Sequence, residues 1–411
     1  MANVEDAARL AEALPETAGM ASTFPPTAGW VARLDRLRRE RRAVEPPAVA
    51  ALRGRALERF GELGFPTQRQ ESWRSTNVAP IARAEWTAPG PLSSEASRAA
   101  EAALTPYLFD SAATLVFLDG RFAPHLSRAA GLGDGVILGS LAETLAQGSR
   151  SVVEKVEEHL GRHAGFAQAS FVALNTALFS DGAFLWLPRG AVLAGPIHLV
   201  FGSTGGDGDR SPQATFPRSL AVVGENAQAT IVESYLDLAP ADDEPVYFNC
   251  PVTEIVAGPG SVVDHYKVQR ESREAFHVAT FELVQERSSS LSSHSISLGG
   301  ALVRNDVNAL LDGPGSDTIL NGLYMIGGRQ FVDHHMRVEH AAPHCASHEL
   351  FKGILDGKAR SVFNGLIHVR HGAQKTDAKQ SNRNLLLSRG AVANSNPQLE
   401  IFADDVRCTH G

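Results

Sequence analysis

The sequence predicts an α+β chain whose larger part is a right-handed parallel β-helix, preceded by a mainly helical region. Three observations predict it. Apolar residues in the first half recur every three or four positions, as on amphipathic helices. Beyond Phe166 short apolar runs alternate with turns rich in Gly, Asn, Asp and Ser. Several of those turns lie roughly 15 residues apart, or about twice that, a loose repeat typical of solenoids. Residues 1–165 are therefore read as a helical domain with a β-hairpin near 115–122, and residues 166–411 as the β-helix core.

The Ala-rich residues 1–25 run into Phe24-Pro25-Pro26 and read as a loose tail. Val49, Leu52, Ala56, Phe60 and Leu63 mark a helix that stops at Gly64, with Pro66 just beyond. Residues 96–104 form a second helix, broken by Pro106. Asp119-Gly120 supplies the positive φ of a tight turn, so residues 115–122 read as a hairpin. Val152, Val153, Val156 and Leu160 continue the helical spacing. Then come apolar runs at 219–223, 253–256, 281–284, 307–311, 363–369 and 399–402. Gly224, Gly258-Pro259-Gly260, Gly313-Pro314-Gly315, Gly327-Gly328, Gly357, Gly372 and Gly390 interrupt them. A β-sandwich also has many short strands, but 166–411 is long for one, and no helix is expected to interrupt it.

Charged residues are 20% of the chain and the formal net charge is -8, which argues against a basic nucleic-acid surface. No apolar run is long enough to span a bilayer, and Glu5 and Asp6 stand where a secretory signal needs basic residues. Three widely separated cysteines, Cys250, Cys345 and Cys408, suit free thiols in a reducing cytoplasm better than disulfides.

Cys408 and His410 are the first candidate site. Two apart on a strand, they point to one face, roughly 6.5–7 Å apart along the chain. Thiolate and imidazole suit iron in a cluster, yet two ligands cannot hold one. The pair is then completed by another chain, or is a buried cysteine beside a hydrogen-bonded histidine. A second tract, His334, His335, His340, His344, Cys345 and His348, has the composition of a zinc or copper site. Its spacing fits no short motif, and a ladder of stacked imidazoles inside the solenoid is the favoured reading. Asp404 and Asp405 are adjacent, face opposite sides of a strand and cannot act as an acid–base pair.

There is no phosphate-binding Gly-x-x-x-x-Gly-Lys-Ser/Thr loop, no dinucleotide fingerprint and no Gly-x-Ser-x-Gly elbow. The competing function is a β-helical carbohydrate-active enzyme, which needs carboxylates and an aromatic groove on one solenoid face. Aromatics are only 7%, and Trp30, Trp73 and Trp86 precede the solenoid.

The segment Lys375-Thr376-Asp377-Ala378-Lys379-Gln380-Ser381-Asn382-Arg383-Asn384-Leu385-Leu386-Leu387-Ser388, and the run from Pro397 to Cys408-Thr409-His410-Gly411, resemble signature blocks of SufD proteins in the SufB/SufD family. Pro66-Thr67-Gln68-Arg69-Gln70-Glu71-Ser72-Trp73-Arg74-Ser75-Thr76 resembles the family's N-terminal Arg-Glu-Trp-Arg segment, with Ser75 where an aromatic is usual. Leu174-Asn175-Thr176-Ala177, Asp181-Gly182 and Pro188-Arg189-Gly190 resemble the start of the β-helix. The resemblance implies a non-enzymatic scaffold for iron–sulfur cluster assembly. It pairs with SufB, so that Cys408 and His410 face a transient cluster site shared with that subunit, while the SufC ATPase drives rearrangement. A homodimer is left open as an alternative assembly. Such proteins continue past Cys-x-His-Gly into C-terminal helices that dock SufC, and that domain is expected to be missing here.

Overall fold

A computed structural model describes residues 29–40, 45–129, 131–206, 211–240 and 242–411. The tail expected at 1–25 lies outside the described residues.

The expected helices form. Pro47–Leu63 buries Val49, Ala56 and Phe60 and closes at Gly64 (φ 64°), whose N–H donates to the Phe60 carbonyl at 2.8 Å. Ser94–Leu104 is capped by the Ser93 hydroxyl, and Thr105–Tyr107 tightens into a 3-10 turn around Pro106. Arg150–His159 carries Val152, Val153 and Val156. The hairpin turns at Asp119 and Gly120, with φ values of 47° and 72°.

Two parallel sheets follow. Sheet I stacks Ala113–Leu118, Ile197–Ser203, Gln228–Asp237, Val262–Arg270, Ser290–Ser297, Asp317–Ile326, Ala346–Leu355, Asp377–Leu386 and Arg407–His410. Sheet II stacks Ala183–Leu187, Arg218–Val223, Val252–Ala257, Phe276–Gln285, Leu302–Leu311, Phe331–His340, Arg360–Val369 and Val392–Ile401. The chain alternates between them, so each coil lays one strand on each sheet. Leu302 pairs with Phe331 and Phe331 with Arg360, making these coils 29 residues long. The roughly 15-residue spacing of the turns is half a coil.

Alternation builds the core. In Asp317–Ile326 the inward Leu320, Tyr324 and Ile326 are buried while Asp317, Ile319 and Met325 are exposed. One apolar cluster runs from Leu115 to Ala391, and each fully buried Leu or Phe in it contributes about 2 kcal/mol. A column of small polar side chains ties the corners. Ser261, Ser289, Ser316 and Thr376 each donate to the carbonyl three residues back, at 2.7–3.0 Å.

Two features depart from the sequence expectation. Sheet I begins with Ala113–Leu118, well before residue 166, because the first arm of the hairpin pairs in parallel with Ile197–Ser203. A helix, Ser170–Leu178, also lies beyond 166 where none was expected. All nine of its side chains are buried, so it has no polar face and no helical period to read.

That helix is anchored by a buried polar cluster. Buried Arg218 donates to Glu254 at 2.6 Å, to Asn175 at 3.2 Å and to Thr176 at 3.0 Å. Glu254 also accepts the backbone N–H groups of Gly161, His163 and Ala164. Burial pushes its carboxyl up, but Arg218 and these amides outweigh it and hold the group below its usual range. Gly182 is required beside it, since a Cβ there would lie 2.0 Å from the Arg218 carbonyl oxygen. The N-terminal segment is clasped similarly. Arg304 lies 3.7 Å over the Trp73 ring and donates to the Ser72 carbonyl and Asp333, both at 2.8 Å. The Asn-Thr and Ser-Trp blocks therefore join the helical region to the solenoid. Among the described residues, no helix is long and apolar enough to cross a membrane.

Candidate functional site

Arg407–His410 is the last strand of sheet I. It pairs in parallel with the start of Asp377–Leu386, Ala378 opposite Cys408 and Gln380 opposite His410. Opposed residues of a parallel pair share a face. Ala378 and Gln380 are buried inside the solenoid, so Cys408 and His410 face inward at its last coil, while Thr409 faces out. The strand is fixed at both ends: the Arg407 N–H donates to the Thr376 backbone carbonyl at 2.8 Å and the Gly411 N–H to the Gln380 backbone carbonyl at 2.9 Å. Asp404 and Asp405 are exposed, and Asp405 pairs with Lys375.

The two donors differ. Cys408 is half-buried against a small apolar nest of Ile367, Val369, Ala373, Ala378 and Ala403. Burial pushes its thiol up, partly offset by the Ala378 backbone N–H, and nearby Asp377 adds to the rise. His410 is exposed. Beneath it the Gln380 Nε2 donates to Glu349 Oε2 at 3.1 Å, while Gln380 Oε1 and Glu349 Oε1 are buried without a partner. Burial pushes the Glu349 carboxyl up to about 7. Sequence reading missed both residues. Their inward alternation in adjacent strands was the available signal, but it requires the register of the coils.

The histidine tract is dispersed, which corrects both readings of it. His334 points inward and packs between Tyr324 and Phe351, with ring centroids at 5.2 and 5.0 Å. His335, its neighbour, faces the other side of the strand. His340 is buried with its Nε2 2.8 Å from the Ser347 hydroxyl. His344 occupies a turn at φ 61°, and His348 is exposed on the outer face of sheet I. In the sheet His334 stands between Asn305 and Phe363, and His340 between Leu311 and Val369, so no imidazole ladder forms. Cys345 takes the corner position that Ser316 and Thr376 fill in neighbouring coils, its Sγ 3.3 Å from the Gly313 carbonyl oxygen. Cys250 is fully buried and its thiol is pushed up by burial. Among the described residues, no group of three or more His, Cys, Asp or Glu side chains is placed to hold a metal ion.

Two family models match the chain. The SUF system FeS cluster assembly SufBD core domain covers residues 204–411, and the SufBD protein N-terminal region covers residues 37–199. An iron–sulfur cluster assembly SufBD family protein of Synechocystis sp. is 35% identical over 360 residues, 87% of this chain and 77% of that protein. The iron–sulfur cluster assembly protein SufD of Escherichia coli is 30% identical over 355 residues, 86% of this chain and 78% of its own length. SufD of Bacillus subtilis is 27% identical over 387 residues, covering 89% and 82%. With its parallel solenoid and these matches, the chain belongs to the SufBD family of iron–sulfur cluster assembly proteins and is SufD-like within it.

Proposed function

We propose that this chain is a non-catalytic scaffold subunit that pairs with SufB and lends Cys408 and His410 to a shared, transient site for a nascent cluster. The observation that carries the reading is a donor set that no third ligand completes among the described residues. Cys408 and His410 share one inward face on the outermost strand of sheet I. A cluster needs more ligands than these two, so a second chain completes the set. Among the described residues no further strand pairs with the outer sides of Arg407–His410 and Val392–Ile401, and strand addition there suits a partner chain. Exposed Leu385, Leu387, Ile401 and Phe402 gather at this end, as the apolar part of an interface requires. SufC is the ATPase of this reading, and a homodimer through the same edge is the alternative assembly. The work belongs in the cytoplasm, where three unpaired thiols persist.

The test replaces each donor. Cys408→Ala and His410→Ala, purified with SufB and SufC, are expected to lose most cluster iron and sulfide. Stability should change by only about 0.5–1 kcal/mol, since neither residue is deep in the core. Normal iron and sulfide in Cys408→Ala complexes would refute the site assignment.

A further inference from the structure

The two donors stand over different floors. In the strand register Cys408 stands opposite Ala378, whose side chain is a methyl group, whereas His410 stands opposite Gln380, whose side chain ends in an amide. A thiolate ligand needs no further partner. A ligating imidazole has a second ring nitrogen, whose N–H is ordinarily given to an acceptor that sets tautomer and ring orientation.

Gln380 is built to be that acceptor. Its Nε2 is engaged by Glu349, and its Oε1 is buried with no partner. Adjacent strands lie about 4.8 Å apart, so the amide and the imidazole are immediate neighbours on one face. The room the amide uses is reserved for it. A Cβ at Gly365, on the opposite sheet, would lie 2.1 Å from Gln380 Nε2. A buried carbonyl oxygen without a donor is costly, and the register partner of Gln380 on the next strand, His410, is the residue that needs an acceptor.

Resting on the proposed function of Cys408 and His410, we propose that Gln380, held by Glu349, is a positioning residue. It accepts the N–H of His410 and presents the other nitrogen's lone pair to the cluster. Glu349 keeps the amide turned by occupying its Nε2. Neither residue touches iron.

The experiment uses the full chain with ¹⁵N-labelled histidine, reading the His410 ring nitrogen shifts, and the SufB complex, reading iron and sulfide. Wild-type protein is expected to show one dominant His410 tautomer. Gln380→Leu keeps the bulk but removes the acceptor, and should mix the tautomers and lower cluster yield on the order of tenfold. Gln380→Asn should do the same by shortening the reach, and carries the test should the leucine variant not fold. Glu349→Gln still offers a carbonyl to Gln380 Nε2 and should restore wild-type shifts and yield, whereas Glu349→Leu should not. Unchanged His410 shifts and yield in both Gln380 variants would overturn the proposal, even if melting temperature moved. Were His410→Ala itself to assemble clusters normally, the site reading would fall first. A defective His410→Ala beside normal Gln380 variants removes only the positioning role.

Discussion

Two buried polar groups, at opposite ends of the solenoid, are finished to different degrees. Around Arg218 the carboxylate of Glu254 takes the guanidinium and three backbone amides, and of the arginine's three side-chain nitrogens only Nε is left over. Around Gln380 a single hydrogen bond joins it to Glu349, and an oxygen on each side is left over. Buried polarity that is almost wholly paired holds two parts of a fold together. Buried polarity that is half paired sits where something else arrives.

The largest effect that sharpens this contrast is expected at the closed end. Arg218→Met leaves Glu254 in the core without its counter-charge, and should cost about 3–5 kcal/mol. Chemical denaturation should show the loss, together with loosening of Ser170–Leu178. A cost below about 1 kcal/mol would break the contrast.

At the open end Glu349→Gln should stabilise, and in a pH-dependent way. The native carboxyl is raised from 4.5 to about 7. Between those values the native state holds a proton that the unfolded chain releases, so wild-type stability falls as pH rises through this window. The variant lacks that loss, and its advantage should grow from pH 5 to pH 8, reaching about 3 kcal/mol. Melting curves at the two pH values decide it, and an advantage that shrinks with pH contradicts the assignment.

Cys345 gives the smallest effect. Its neighbours in the corner column are hydroxyls, so Cys345→Ser should stay within about 0.5 kcal/mol and leave cluster yield unchanged. A loss of bound metal in that variant would return the histidine tract to consideration.

All six apolar runs read from the sequence lie on sheet II or at its margin. Strands such as Val252–Ala257 are buried on both faces there, because helices and the Ser72–Trp73 segment cover the outside. Sheet I was harder to see. In Asp377–Leu386 the inward residues include Ala378, Gln380, Asn382 and Asn384, so a strand reads as a polar loop. The site was legible in its donors and not in its surroundings. Cys408 and His410 announce themselves by type and spacing, whereas Gln380 and Glu349 become neighbours only through pairing across coils of about 30 residues. The histidines failed for the opposite reason, since nearness in sequence puts alternate residues on opposite faces.

The changing coil length has a consequence for tolerance to insertion. From Phe276 to Leu302 the step is 26 residues, then 29, 29 and 32 up to Val392, yet strands of ten residues remain paired without a slip. The corners absorb all the variation. One residue added within a strand would turn its remaining side chains to the wrong face, whereas three added at a corner leave every inward column intact. Corners such as the one after Ile326, where residues 328 and 329 are exposed, are therefore where peptides or fluorophores can be grafted without disturbing Cys408 and His410.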